Sequence, residues 1–366
     1  MTSNYRRIGD FIRRISVKNT DGTINNLLGI NIDKYFMPSV ANVIGTDLTK
    51  YKVVKPYQFS CNRMHVGRDE RLPVSLSKED FNFIVSPAYD VFEICKPEEL
   101  DSDYLMIWFS RAEFDRNAWF YTDSDVRGKL GWDSLCEMEL PVPSIDKQKE
   151  IVKEYNTVVN RIKLNETLNK KLEETALALY KHWFVDFESK DKVLLSEFLN
   201  PKKGKNITRE NAVLGEFPVV AGGLNPSCFN NQSNTMKPVV TISASGANAG
   251  FVNLYHTEVW ASDCSFIDLS VYDNVLFIYC CLKVNEKLLM SKQTGTGQPH
   301  IYPEQICSIT VDNYNIERTY EFNKKVSPLF YKISINIKQI KSLISVKDML
   351  LSKMSKVESL KTEQVL

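Results

Sequence analysis

The chain has 366 residues with 46 basic and 45 acidic side chains, and its 43% hydrophobic, 11% aromatic and 25% charged content is that of a folded protein. This excludes a disordered or collagen-like chain and predicts about two to three domains. Net charge is −3 over residues 1–143, 0 over 144–189, −1 over 190–314 and +5 over 315–366, so no large segment is strongly basic and any nucleic-acid binding must come from local clusters or a partner.

In chain order, strand-like runs occur at 51–54, 81–86 and 88–94, between Pro and Asn/Asp turns, and a short helix is predicted at 103–117. A long helical pattern follows Leu140-Pro141-Val142-Pro143. Its apolar positions alternate at intervals of four and three: Ile151, Tyr155, Val158, Ile162, then Asn165 and Asn169, then Leu172, Ala176, Leu179 and Trp183. The next segment has strand-like runs at 217–221, 238–243, 250–254 and 265–269, the turn pairs Gly222-Gly223 and Ser245-Gly246, and a helix at 274–288. Adding 171 to the seam positions of the first long helix gives Phe322, Val326, Leu329, Ile333, Asn336, Ile340, Leu343, Lys347, Leu350 and Met354, a second seam of the same form. A seam with a 3.5-residue period is the pattern of helices packed as a coiled coil. Pro328 predicts a break or kink in the second long helix, with Ser327 able to cap a new start.

The repeat extends upstream. Leu135, Met138 and Leu140 match Ile306, Ile309 and Val311 as a strand-like ending before each helix, and Ile8-Gly9-Asp10-Phe11-Ile12 resembles Leu195-Ser196-Glu197-Phe198-Leu199 at an offset of 187. The reading is globule, long helix, globule, long helix: two α/β domains with mostly antiparallel strands at 1–143 and 188–313, and long helices at 144–187 and 314–366. The fold class is α+β with an internal repeat.

Chemistry is sparse. The eight cysteines form no CxxC pair and the four histidines stand far apart, which argues against a closed zinc site and for small buried thiols in a reducing compartment. There is no GxxxxGK[ST] phosphate loop, no GxSxG elbow and no aromatic-flanked Asn-Pro-Pro motif. Glu173-Glu174 reads as a solvated or partner-facing acidic stripe rather than an acid/base pair. No segment approaches the roughly 18 uncharged apolar residues of a membrane span, and the first fifteen residues carry Arg6, Arg7, Arg13 and Arg14 without an apolar run. A cytoplasmic protein is expected.

The order of these segments resembles the specificity subunit of type I restriction-modification systems. Lys147-Gln148-Lys149-Glu150-Ile151 and Leu179-Tyr180-Lys181-His182-Trp183-Phe184-Val185-Asp186-Phe187 carry the resemblance in the helical part. In the second globule it lies in Pro218-Val219-Val220-Ala221-Gly222-Gly223, Ile242-Ser243-Ala244-Ser245-Gly246, Trp260-Ala261-Ser262-Asp263 and Gly295-Thr296-Gly297-Gln298-Pro299-His300. In the first it lies in Gly45-Thr46-Asp47-Leu48, Asn62-Arg63-Met64-His65-Val66-Gly67-Arg68 and Val85-Ser86-Pro87-Ala88-Tyr89. The resemblance implies two target-recognition domains, related by a pseudo-twofold axis and held apart by two antiparallel helices, each about 60 Å long at 40 residues. It implies recognition of a split, asymmetric site on double-stranded DNA with unlike half-sites. It further implies a non-catalytic prokaryotic chain that binds no cofactor itself, with two methyltransferase subunits carrying S-adenosylmethionine and two restriction/translocase subunits using ATP and Mg.

Candidate DNA contacts in the first domain are Arg63, His65, Arg68, Arg71, Arg127 and Lys129, since Arg reads guanine bidentately and Lys holds phosphate. In the second they are Ser243, Ser245, Asn248, Thr296, Gln298 and His300, small polar groups in turns, with Gln and Asn suited to adenine. Asn165 and Asn336 are expected to be buried at the helical seam, where a polar side chain sets register. The alternative reading of the whole chain is a coiled-coil scaffold whose globules bind protein ligands without DNA specificity.

Overall fold

The computed structural model describes residues 5–40, 45–122, 128–186, 192–295 and 297–354. Two continuous helices dominate, Ile145–Phe184 and Ile316–Lys353. The chain divides into two compact units, Met1–Ile162 with Ser342–Leu366, and Lys163–Lys341. Each long helix therefore supplies one part to each unit, where the expected division set the helices apart as separate segments.

The repeat is reproduced element by element. The strand Tyr5–Arg7 pairs antiparallel with Glu139–Pro141, and Lys192–Leu194 pairs in the same way with Thr310–Asp312. Each first strand runs into a 3-10 turn, Ile8–Asp10 and Leu195–Glu197, and each second strand precedes a long helix beginning at Ile145 or Ile316. The Ile8 amide donates to the Met138 carbonyl at 2.8 Å, and the Leu195 amide to the Ile309 carbonyl at 2.9 Å. Leu135 and Ile306 are buried like the strand residues that follow, but they sit in the short helices Trp132–Glu137 and Pro303–Cys307 rather than in strands.

In the first unit, a four-stranded antiparallel sheet has the order Ile12–Ile15, Asp90–Ile94, Phe59–Cys61, Val74–Leu76. Two further ribbons pair Lys52–Val54 with Phe83–Val85 and Leu28–Ile30 with Phe36–Pro38. The helix predicted at 103–117 is two helices, Ser102–Phe109 and Ala112–Phe120. The break falls at Arg111, whose backbone is extended while its guanidinium lies 4.1 Å from the Trp108 ring and donates to the Leu351 carbonyl at 2.9 Å. Phe59, Phe92, Tyr104 and Phe109 fill this core, and Ile151, Val152 and Tyr155 of the first long helix pack against it.

In the second unit the sheet order is Lys202–Lys203, Cys264–Ile267, Val239–Ser243, Val252–Tyr255, all antiparallel. A three-stranded sheet places Phe217–Val220 between Cys228–Asn230 and Trp260–Ala261, the last in parallel. Tyr180, Phe184, Phe277 and Phe322 form a buried aromatic cluster joining the globule to both long helices. Here too the predicted 274–288 helix is two, Val275–Val284 and Glu286–Ser291.

Each globule is tied to its long helix by a buried polar residue at corresponding positions. Gln148 is fully buried, accepts from the Asp101 amide at 2.9 Å and donates to the Glu99 and Pro143 carbonyls. Thr319, offset by 171, is fully buried and lies 3.4 Å from Asn274 Nδ2. Asp101 and Asn274 are the N-caps of the short helices that pack on the long ones.

All ten predicted seam positions on each long helix are buried or half-buried. Within the second unit the two helices run antiparallel: Asn165 Nδ2 donates to Gln339 Oε1 at 2.9 Å, and Asn336 Nδ2 to Asn169 Oδ1 at 2.8 Å. The expected break at Pro328 does not occur. Pro328 and Lys324 are exposed, so the carbonyl left without a donor faces water, while Val326, Phe330 and Ile333 hold the buried face. Ser327 caps no new start; its hydroxyl donates back to the Asn323 carbonyl at 2.6 Å.

Among the described residues, no helix is long and apolar enough to cross a membrane. Of the eight cysteines, Cys61, Cys264, Cys280 and Cys281 are buried as expected, whereas Cys95 is exposed and Cys136, Cys228 and Cys307 are half-buried. Burial pushes the thiols of Cys61, Cys264 and Cys281 up to about 12. Glu173 is not simply solvated, because it accepts a hydrogen bond from the Tyr279 hydroxyl.

Candidate nucleic-acid interface

In the first globule, residues 62–71 form a turn around the short helix Val66–Asp69. The turn is clamped to the segment 128–130. The Gly67 amide donates to the Gly128 carbonyl at 2.8 Å, and the Leu130 amide to the Arg63 carbonyl at 3.0 Å. A Cβ on Gly67 would lie 2.6 Å from Gly128 Cα, so only glycine allows this approach. The clamp brings the His65–Arg71 turn beside exposed Lys129, two stretches more than fifty residues apart in sequence. His65 is half-buried at the N-cap position of the short helix.

The arginines there are already partnered. Arg68 Nε donates to Asp69 Oδ1 at 2.7 Å and holds that carboxyl below its ordinary range. Arg71 Nη1 donates to Asp33 at 3.0 Å, with both side chains more than half exposed. Surface pairs of this kind are worth about 0–1 kcal/mol, so a phosphate or base can displace them. Arg63 is different and is corrected here as an interface residue. It is 5% exposed, is bonded to Asp90 Oδ2 at 2.6 Å, and donates to the Leu130 carbonyl. Asp90 also pairs with Arg14, so Arg63 joins the sheet to the 128–130 segment. Arg127 lies outside the described residues.

In the second globule the four motif segments quoted above converge. The Ser262 amide donates to the Val220 carbonyl at 2.7 Å and the Ala244 amide to the Asp263 carbonyl at 3.2 Å. The Ser245 hydroxyl donates to the Asp263 carboxylate, and Asn248 Nδ2 lies 3.4 Å from the Gly222 carbonyl. The Gly246 amide donates to the Pro299 carbonyl at 3.0 Å, and the Ile301 amide to the Ala244 carbonyl at 2.9 Å. Mutual backbone bonds between Thr294 and His300, at 3.0 and 2.8 Å, close the intervening loop and leave Gln298 exposed on it. Gly295 permits that loop through a positive φ of 99° and through an approach to the Gln298 carbonyl that would leave only 2.5 Å to a Cβ. His300 stacks on Tyr302, with ring centroids 5.9 Å apart and planes 14° apart.

Ser245, Asn248, Gln298 and His300 thus share one region, beside a cavity of about 280 Å³ lined in part by Asp263, His300 and Tyr302. Ser243 does not belong with them: it is 4% exposed inside the central strand, its hydroxyl has no partner among the described residues, and it cannot reach a ligand outside. Thr296 lies outside the described residues. Tyr302 escaped notice in the sequence, although an aromatic two residues beyond a histidine in a turn is a weak stacking signal. Nothing in its spacing shows that it meets the His300 ring.

No family model matches the chain. By sequence it is similar to a type I specificity subunit of Mycoplasma genitalium, 23% identical over 300 residues, covering 75% of this chain and 76% of that protein. It is also similar to the MjaIX type I restriction enzyme specificity subunit of Methanocaldococcus jannaschii, 25% identical over 293 residues, covering 69% and 68% of the two chains. Its fold matches the crystal structure of a type I restriction-modification S subunit from M. genitalium with a TM-score of 0.61 at 18% identity, over 97% of this chain and 99% of that one. With the doubled strand, turn and long-helix unit and the converging turn motifs, the chain is similar in sequence and in fold to the specificity subunits of type I restriction-modification systems.

Proposed function

We propose that the chain is the DNA sequence-recognition subunit of a type I complex and that each globule reads one half of a bipartite, asymmetric site. One observation carries the reading. Four sequence segments spread from residue 218 to residue 300 meet at one region of the second globule, presenting Gln298, Asn248 and His300 from turns. Turn-borne polar side chains on a rigid sheet are suited to reading base edges. The first globule offers a different set, His65, Arg68, Arg71 and Lys129, so its half-site differs.

In this reading the chain directs adenine methylation or restriction without doing chemistry. Two methyltransferase subunits supply S-adenosylmethionine chemistry on a flipped adenine, and two restriction/translocase subunits use ATP and Mg. The chain itself binds none of these cofactors and works in the prokaryotic cytoplasm. Partner subunits closing on the duplex add backbone electrostatics that the near-neutral globules lack.

The test is co-expression with the methyltransferase subunit encoded beside it, followed by genome-wide reading of adenine methylation. A split motif modified on both strands is expected. Unmethylated DNA despite a stable complex would replace this reading with the scaffold one.

A further inference from the structure

The second globule is net −1, yet residues 202–209 carry Lys202, Lys203, Lys205 and Arg209 with no acidic residue among them. The structure lays this run along the edge of the region just described. Lys202–Lys203 pairs with Cys264–Ile267 as an edge strand. The Gly204 amide donates to the Cys264 carbonyl at 2.8 Å, the Lys205 amide to the Ala261 carbonyl at 2.9 Å, and Trp260 Nε1 to the Lys205 carbonyl at 2.7 Å. Gly204 is required for so close a course, since a Cβ there would lie 2.2 Å from the Ser262 carbonyl oxygen. The backbone is therefore pinned while the lysine side chains are exposed.

Two of these lysines differ from the arginines of the first globule's turn. Arg63, Arg68 and Arg71 in the first globule each sit on a carboxylate. Among the described residues, Lys203 and Lys205 have no carboxylate at ion-pair distance. Lys203 Nζ lies 5.6 Å from the centroid of Tyr302, the ring that stacks on His300, and it lines the same cavity. Lys202 differs, because its ammonium is bonded to Ser270 Oγ at 2.8 Å.

We propose that Lys203 and Lys205 form a phosphodiester-binding strip that seats one DNA strand beside the reading region of the second globule. The proposal rests on the DNA-reading function above. A rigid backbone carrying unpaired ammonium groups gains counterion release on meeting phosphate without first breaking an ion pair. Such contacts fix position and carry no base information. Tyr302 extends the strip with a flat face on which a sugar or base can rest.

The experiment uses the assembled complex with the methyltransferase subunit and measures affinity for a duplex carrying its methylated motif across a salt series. The double variant Lys203→Gln/Lys205→Gln should keep the methylated motif and bind more weakly. The slope of log affinity against log salt should fall by about 1.8, at about 0.9 per phosphate contact. Lys203→Arg/Lys205→Arg should keep the wild-type slope, and Lys202→Gln should leave both affinity and slope at wild-type values. An unchanged slope in the double Gln variant overturns the strip, as does a changed second half-site, which would make these lysines readers. If the wild-type complex retains no DNA in a sequence-dependent way, the reading function falls as well; if it does and only the slope is unmoved, the strip alone falls.

Discussion

Asn336→Leu should stabilise the protein. The side chain is fully buried at the helical seam of the second unit; its amide donates to Asn169 Oδ1 at 2.8 Å, while its own carbonyl oxygen has no partner among the described residues. A buried unsatisfied acceptor costs about 1–3 kcal/mol, and the lost hydrogen bond is worth about 1 kcal/mol. Asn169 is only half-buried, so its freed oxygen can turn to water. Leucine is apolar, shares the forked heavy-atom skeleton of asparagine with bulkier methyl ends, and continues the seam of Ile333 and Ile340. The net gain is about 1–2 kcal/mol, which for a cooperative body of this size is roughly 2–8 °C in Tm. Asn165→Leu should be milder, since among the described residues Asn165 carries no orphaned buried atom whose removal would add stability. Thermal unfolding of the single and double variants measures both effects. A melting point of Asn336→Leu at or below wild type would refute the reasoning, because it would mean that the orphan oxygen is satisfied or that leucine does not fit. The expected cost lies elsewhere: a seam without its asparagines loses the polar constraint on register.

Arg63→Ala should cost about 3–5 kcal/mol in chemical denaturation, because it strips a buried partner from Asp90; a loss under about 1 kcal/mol would return Arg63 to the interface. Gly67→Ala should push the His65–Arg71 turn off residues 128–130, since its Cβ would meet Gly128 Cα at 2.6 Å. Methylation mapping should then show the first half-site relaxed or lost with the second kept, and an unaltered motif would remove that turn from the reading role. Burial beside Phe330 pushes the His256 imidazole down from 6.5 to about 4. Because the folded-state value is depressed, its contribution is intact above about pH 6.5 and is lost as pH falls toward 4. His256→Gln should therefore flatten the acid side of the stability profile by at most about 3 kcal/mol at pH 4, read as urea midpoints against pH. Parallel profiles for variant and wild type would contradict it.

The repeat was legible because a fixed offset survives in a one-dimensional string. The 171-residue spacing matched Leu135, Met138 and Leu140 to Ile306, Ile309 and Val311, and the 187-residue spacing matched Ile8–Ile12 to Leu195–Leu199; the structure extends the correspondence to the strands Tyr5–Arg7 and Lys192–Leu194 and to both helix starts. Several strands were not legible. Phe59–Cys61 and Val74–Leu76 are buried at every residue and only three residues long, so they show no alternation. The split of the 103–117 helix falls at Arg111, whose hydrogen bond to the Leu351 carbonyl spans 240 residues and leaves no local pattern.

For the interface, residue types were visible but their commitments were not. Arg63 and Arg68 look alike in a string, yet one is locked under Asp90 and the other is exposed. Ser243 and Ser245 lie two apart; one points into the sheet and the other meets Asp263. The lysine run at 202–205 vanished into a segment total of −1, because charge averaged over 125 residues conceals a cluster that only folding assembles.

Sequence alone thus determined the family architecture: two unlike globules, each followed by a long helix with a polar step in its seam. Periodicity and offset are properties of the backbone pattern, and they persist whatever the side chains between them do. Tertiary structure alone decided which polar groups are free to meet DNA. Whether an arginine, serine or lysine is a reader, a strut or a phosphate anchor depends on the partner that long-range folding puts beside it, and no local pattern encodes that partner.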